Sequence, residues 1–121
     1  MYALTVRFVL SEGTDWSKVP AVMAERAEKL YKNMPGLVSK AFLYDPESRE
    51  YGGNYVWKTK QDLDAFLISE VFKAGKEKFG EPVELRIHKI AAYLDRGYVH
   101  VSTFPPSRKL GQRREEIVTS T

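Results

Sequence analysis

The amino-acid sequence predicts an α+β domain in which two helices cover one face of an antiparallel sheet. Stretches of alternating apolar and polar residues are typical of strands, and two other stretches repeat apolar residues every three or four positions, as helices do. A chain of 121 residues with 43% apolar content suits one compact core. In chain order, these elements read β-α-β-β-α-β.

The first strand is expected over residues 2–10. Leu4, Val6 and Phe8 share one side of it, while Arg7 lies on the more polar side. The first helix follows, and a Pro-Gly pair ends it. Its apolar stripe consists of Val19, Val22, Met23, Ala27, Leu30, Tyr31 and Met34.

The second strand is expected over residues 37–45. Lys40, Phe42 and Tyr44 alternate onto one of its faces, so this face carries two aromatic rings and a cation. An Asp-Pro-Glu-Ser turn then leads to the third strand.

The third strand is the most informative stretch of the chain. Gly52 and Gly53 allow its backbone to approach a neighbour closely. Tyr55 and Trp57 follow on one face, with Val56 on the other. Because both faces are apolar enough to be buried, the sequence leaves open which of them faces the helices.

The second helix is expected to begin at Thr59, which forms a capping box with Asp62. It continues until Gly80 and Pro82 end it. Residues 83–94 then form the last strand, with apolar side chains towards the core. The polar side chains expected on its other face are Glu84, Arg86 and His88.

This order of elements, with both helices on one face, is the ferredoxin-like arrangement. The other face of the sheet stays uncovered by helices. It is expected to carry Arg7, Phe42, Tyr44, His88 and one of the two alternating sets of the third strand. Such a face is too apolar for water, so the sequence predicts a homodimer formed through the open sheet face.

Composition excludes several classes of function. There is no cysteine, which rules out disulfides and thiolate metal sites and favours a cytoplasmic location. His88 and His100 lack the spacing of a helical metal pair, so no metal site is expected. No apolar run approaches the ~20 residues that cross a bilayer, so no membrane partner is expected.

Positive charge is concentrated near the C-terminal end of the sequence. Residues 1–95 carry 14 basic and 14 acidic residues, whereas residues 96–121 carry five basic and two acidic ones. We therefore predict a domain over residues 1–95 and a basic C-terminal arm or tail over residues 96–121. A neutral domain does not predict a nucleic-acid partner.

Several motifs resemble those of the dimeric α/β-barrel superfamily. They are Pro-Gly-Leu-x-x-Lys at 35–40, Gly-Gly-x-Tyr-x-Trp at 52–57 and Ala-Phe-Leu at 65–67. Within that superfamily, residues 1–95 resemble YdhR-like monooxygenases and antibiotic biosynthesis monooxygenase-like proteins. The resemblance implies oxygen chemistry without a cofactor, acting on a small aromatic or quinone-like metabolite.

Residues 54–74 also resemble the haem-degrading branch of the superfamily. That branch uses a histidine on the second helix to bind iron, and this chain has Lys76 there; Phe66 replaces its pocket tryptophan. The cofactor-free interpretation is therefore favoured. The alternative function is a non-catalytic ligand-binding or stress-associated dimer that uses the same pocket.

In the chemistry that the resemblance implies, a deprotonated ring reacts directly with O₂. His88 is the candidate base, because an imidazole transfers protons readily at neutral pH. A cation, Arg7 or Arg86, would stabilise the phenolate, and Tyr55 or Tyr44 would orient the substrate oxygen. The candidate substrate contacts are Trp57, Phe42, Tyr44, Arg86 and Lys40.

Each candidate also has a structural explanation. Trp57 and Tyr55 have the spacing of core or interface rings. Arg7 could pair with Glu84 across neighbouring strands. Lys40, near a strand end, could extend its ammonium to water.

Overall fold

The structure is a computed structural model that describes residues 1–102. It divides into two compact units, one over Met1–Lys89 and one that begins at Ile90. Among the described residues, no helix is long and apolar enough to cross a membrane.

The first unit contains four strands and three helices that position the candidate site. Its sheet is antiparallel with the strand order β2-β3-β1-β4, so the predicted α+β class and ferredoxin-like arrangement are confirmed. A 3₁₀ turn at Trp16–Lys18 precedes α1, and a π-helical turn at Ala27–Tyr31 continues it. The elements are β1 (Tyr2–Val9), α1 (Val19–Arg26), β2 (Leu37–Asp45), β3 (Glu50–Trp57), α2 (Lys60–Leu67), α3 (Glu70–Phe79) and β4 (Glu84–Lys89).

The core lies between one face of the sheet and the helices. Leu4, Val6 and Phe8 of β1 are buried, as their alternation predicts. The other buried apolar side chains come from all three helices and from β3; they are Met23, Tyr31, Leu63, Phe66, Phe72, Tyr51, Tyr55 and Trp57.

Strand register decides which face each aromatic residue occupies. Tyr55 is paired with Leu4 and Trp57 with Tyr2, and directly opposed residues share a face. Tyr55 and Trp57 therefore face the helices, which settles the alternative that the sequence leaves open, and Val56 lies on the open face.

The same register corrects the prediction for the second strand. Lys40 lies opposite Tyr55, and Phe42 opposite Gly53, so both side chains face the helices. Tyr44 shares their face and stacks on Trp16 with ring centroids 6.3 Å apart. The expectation that Phe42 and Tyr44 lie on the open face is wrong, because the pairing with β3 turns their side of β2 towards the core.

The predicted second helix is two helices. Its start is confirmed, since the Thr59 hydroxyl accepts a hydrogen bond from the Asp62 N–H at 3.0 Å. The helix breaks after Leu67, because Ser69 has an extended backbone and its hydroxyl accepts from the Phe72 N–H, which caps α3.

The last strand was expected over residues 83–94, but β4 spans only Glu84–Lys89. The second unit contains a hairpin of β5 (Ala92–Asp95) and β6 (Tyr98–Val101), joined by a tight turn. Arg96 and Gly97 both have positive φ in this turn, as a two-residue hairpin loop requires. The predicted arm at 96–121 thus begins within a hairpin, and its residues 103–121 lie outside the described part of the chain.

Candidate functional site

The predicted site residues do not form one group, because they lie on two faces of the sheet. Arg7, Arg86 and His88 are on the open face. The remaining candidates face the helices; they are Lys40, Phe42, Tyr44, Tyr55 and Trp57. The structure therefore separates the predicted base and cation from the predicted ring contacts.

On the open face, Arg7 is engaged in ion pairs. Its Nε lies 2.5 Å from a Glu84 carboxylate oxygen, and its Nη1 lies 2.6 Å from one of Glu50. Hydrogen bonding to Glu84 is the main cause that raises the pKa of Arg7. Arg86 lies 3.8 Å from the same glutamate. Arg7 therefore forms the cross-strand ion pair with Glu84 that was its structural explanation.

On the helix-facing side, the amine of Lys40 is surrounded by aromatic rings. Its Nζ lies 3.6 Å from the ring centroid of Tyr31 and 3.9 Å from that of Phe42. The Tyr55 ring is third, at 4.3 Å. Among the described residues, no carboxylate pairs with this amine. The amine thus lies against three rings, which contradicts the structural alternative of an ammonium extended to water.

Gly53 explains how a lysine fits inside the fold. Because it lacks a side chain, the space opposite Phe42 is left for the Lys40 stem. A Cβ atom at Gly53 would lie 2.9 Å from Lys40 Cε, closer than real Cβ atoms approach. The neighbouring Gly52 is needed for a different reason, since a Cβ there would lie 2.0 Å from the Val6 carbonyl oxygen.

Burial changes the acid–base properties of this group. Desolvation, aided by the positive charge of Arg26, lowers the pKa of Lys40 to about 6. The three ring faces attract an ammonium and therefore oppose this shift. Near neutral pH the amine is thus largely uncharged and can accept a proton.

Two tyrosines beside Lys40 remain protonated at neutral pH. Burial raises the pKa of Tyr51 to about 12, although a hydrogen bond with Arg26 opposes the shift. Burial also raises the pKa of Tyr55, and a hydrogen bond with Tyr31 adds to the effect. Both phenols can therefore donate hydrogen bonds but do not supply a negative charge to pair with Lys40.

Two separate spaces lie beside this group. The inner one, next to Lys40, has a volume of about 20 Å³, enough for roughly one water molecule. An open cleft of about 580 Å³ lies on the other side of Arg26. Arg26, Tyr51 and Phe79 line both spaces, so they form the wall between them.

Sequence reasoning missed Arg26, Tyr31 and Tyr51 as site residues. Arg26 carried a detectable signal, because it follows Met23 by three positions and precedes Leu30 by four, within the apolar stripe of the first helix. Tyr31 was assigned only to the core. The π-helical turn after Arg26, closed by a bond from the Lys32 N–H to the Ala27 carbonyl, carries Tyr31 inward.

The structure holds no indication of a metal centre in residues 1–102, where no cluster of three or more potential metal-ligating side chains occurs. Lys76 lies near the Phe72 ring, with its Nζ 5.4 Å from the centroid. This lysine replaces the iron-binding histidine expected from the haem-degrading branch.

No protein-family model matches the chain, and no curated protein matches it at a significant level. Solved structures match its fold. A protein of unknown function from Nitrosomonas europaea aligns with a TM-score of 0.60 and 20% identity, over 79% of this chain and 95% of its own. A mutant of SnoaB, a cofactor-independent oxygenase from Streptomyces nogalater, aligns with a TM-score of 0.54 and 16% identity, over 74% and 91%.

A third structure, from Deinococcus radiodurans, is provisionally assigned as an antibiotic biosynthesis monooxygenase. It aligns with a TM-score of 0.57 and 9% identity, over 78% of this chain and 97% of its own. At such identities the likeness concerns the fold, and the predicted resemblance is confirmed at that level. The chain has the ferredoxin-like fold of antibiotic biosynthesis monooxygenase-like proteins.

Proposed function

We propose that this protein is a cofactor-independent monooxygenase that oxidises a small aromatic or quinone-like substrate between the sheet and the helices. The observation that carries the proposal is Lys40, an amine with a pKa of about 6 that is surrounded by aromatic rings. Such an amine is a suitable base near neutral pH. The fold shared with a cofactor-independent oxygenase supports the same class of reaction.

The proposed reaction needs a substrate with an acidic C–H group, such as the CH₂ group of an anthrone. Lys40 Nζ accepts a proton from this carbon, and the positive charge of Arg26 stabilises the resulting anion. The anion then reduces O₂. One oxygen atom becomes the carbonyl oxygen of the product and the other leaves as water, so the CH₂ group becomes C=O and all atoms are accounted for.

Oxygen uptake by the purified, metal-free protein tests this proposal. With anthrone and a panel of hydroquinones, we expect saturable uptake whose rate rises between pH 5 and pH 7, because the base must be deprotonated. Lys40→Met should reduce the rate by about 10²-fold or more. The same assay with His88→Ala and Arg7→Ala tests the roles predicted from the sequence.

The comparison of variants locates the base. Uptake that survives in Lys40→Met but is lost in His88→Ala would place the base on the open face and contradict our proposal. Uptake that never exceeds the buffer rate across the panel would favour the alternative function, a non-catalytic ligand-binding or stress-associated protein. The inner space of about 20 Å³ holds no ring by itself, so under either function the ring has to enter from the open cleft beside Arg26.

The homodimer predicted from the sequence stays part of this proposal, on changed grounds. The aromatic rings that motivated it face the helices instead, but the open face carries Leu43, 46% exposed, and Val56. All three helices of residues 1–89 pack on the opposite face. A cytoplasmic location likewise stays a proposal and rests on the lack of cysteine.

Leu43→Glu is expected to convert the proposed dimer to a monomer, because it places a charge on the apolar part of the open face. Light scattering after gel filtration measures the mass. Ile68→Glu is the matched control, since Ile68 is 83% exposed between α2 and α3, and it should leave the mass unchanged. A monomeric wild-type protein would contradict the dimer directly.

A further inference from the structure

We propose that the open cleft beside α1 binds a small amphipathic carboxylate and that Arg26 holds its anionic group. Binding at this site does not depend on the proposed function. Only the inference that the carboxylate is the substrate rests on that function. The cleft lies within residues 1–89. Residues from the end of β1, from α1 and from the end of α3 line it.

The cleft has the size and the apolar walls of a small-molecule site. Its volume of about 580 Å³ lies within the range of roughly 300–1,000 Å³ that is usual for such sites. Leu10, Val19 and Val22 contribute aliphatic side chains, and Met23 and Phe79 contribute a thioether and a ring. These walls suit a flat ring or a short aliphatic chain.

Charges around the cleft favour an anion. Three cations line it, namely Lys18, Arg26 and Lys78, against the single carboxylate of Asp15. That carboxylate lies 3.8 Å from Lys18 Nζ, so this pair is already matched. The surplus positive charge therefore belongs to Arg26 and Lys78.

Arg26 is the side chain best placed to hold the anion. Its Nε is buried, and within residues 1–102 it has no hydrogen-bond partner. The Tyr51 hydroxyl is its neighbour, because the positive charge of Arg26 acts to lower the pKa of that phenol. A buried donor without a partner costs free energy, and a carboxylate can accept two parallel N–H bonds from a guanidinium. Among the described residues, no carboxylate pairs with Arg26, so a carboxylate bound in the cleft would neutralise a guanidinium that the protein leaves unmatched.

The position of Arg26 also connects the cleft with the aromatic group around Lys40. Arg26 ends α1, and its side chain lines both the cleft and the inner space. An anion held by Arg26 would lie at the boundary between the two. A substrate with a ring and a carboxylate would thus be held next to the base that the proposed function requires.

Calorimetric titration of the full chain with 2-naphthoate and 2-naphthamide tests the site. The two probes have the same ring, and only the first is charged. We expect 2-naphthoate to bind about tenfold or more tightly than the amide, and Arg26→Gln to remove most of this difference. Lys29→Gln is the matched control, because Lys29 pairs with Glu25 at 3.0 Å and does not line the cleft.

Val22→Trp provides a second test that does not depend on Arg26→Gln folding. Its larger side chain fills the cleft and should abolish binding of both probes. Equal affinity for the two probes, full 2-naphthoate affinity in Arg26→Gln, or full affinity in Val22→Trp would each overturn the proposal. Binding without oxygen uptake would overturn only the proposed catalytic function, so the two failures are distinguishable.

Discussion

Replacing Trp57 by alanine is expected to lower the free energy of unfolding by about 3–5 kcal/mol. Trp57 is only 1% exposed and is one of the largest fully buried side chains. Its ring packs 5.2 Å from the centroid of Phe66 and 6.1 Å from that of Tyr55. Removing it opens a cavity between β3 and α2, which neighbouring rings cannot fill without leaving their own contacts. Urea denaturation measures the loss.

Two further variants show whether the cost comes from burial of the ring. Trp57→Phe keeps a ring and removes an indole Nε1 that has no hydrogen-bond partner among the described residues, so its cost should be clearly smaller. Trp16→Ala removes a partly buried ring beside Tyr44 and should also cost less. A loss below about 1 kcal/mol in Trp57→Ala would place the ring at an exposed site and contradict the structure.

The sheet could be predicted because apolar and polar residues alternate along its strands in the sequence. In β1, Leu4, Val6 and Phe8 are all buried, and the intervening Arg7 lies on the open face. The start of α2 was equally readable, because the Thr59 hydroxyl accepts a hydrogen bond from the Asp62 N–H and donates one to the Asp62 carboxylate, both within four residues of sequence. Signals that depend on neighbours in the sequence are visible before the fold is known.

The second helix and the face of β3 could not be resolved in the same way. Ser69 interrupts the helix by a cap whose pattern resembles an ordinary polar helix position, whereas Gly80 offers a stronger stop signal. For β3, one residue of register decides whether Tyr55 or Val56 faces the helices. Only the pairing with β1 determines that register.

The candidate site was the least predictable part, because it depends on contacts between distant residues. Lys40 is near a strand end, where lysines usually reach water, yet Gly53 on the neighbouring strand leaves space for its stem. Arg26 was missed despite its place within the apolar stripe of the first helix, because the long side chain of an arginine there can extend its charge to water. The strand face that carries His88 was predicted correctly, but its separation from the rings was not.

Lys40→Met is expected to make the protein more stable by about 2–4 kcal/mol near pH 7. Methionine has a similar length and no charge, so it avoids the cost of keeping an amine in an apolar site. The pKa of Lys40 is about 6 in the folded protein, against 10.5 for an unperturbed lysine. Between these pH values the unfolded chain binds the additional proton, so the wild-type free energy of unfolding rises with pH through this window.

The pH dependence separates this mechanism from a simple gain in packing. The advantage of Lys40→Met should be greatest near pH 6 and shrink as the pH approaches 10, because the unfolded lysine then loses its proton too. Urea denaturation at pH 6, 7, 8 and 9 measures the difference. Lys29→Met, at an exposed lysine on the surface, should show a small and constant difference. A constant difference for Lys40→Met would mean that its amine keeps an ordinary pKa, and Lys40 could not then act as the base.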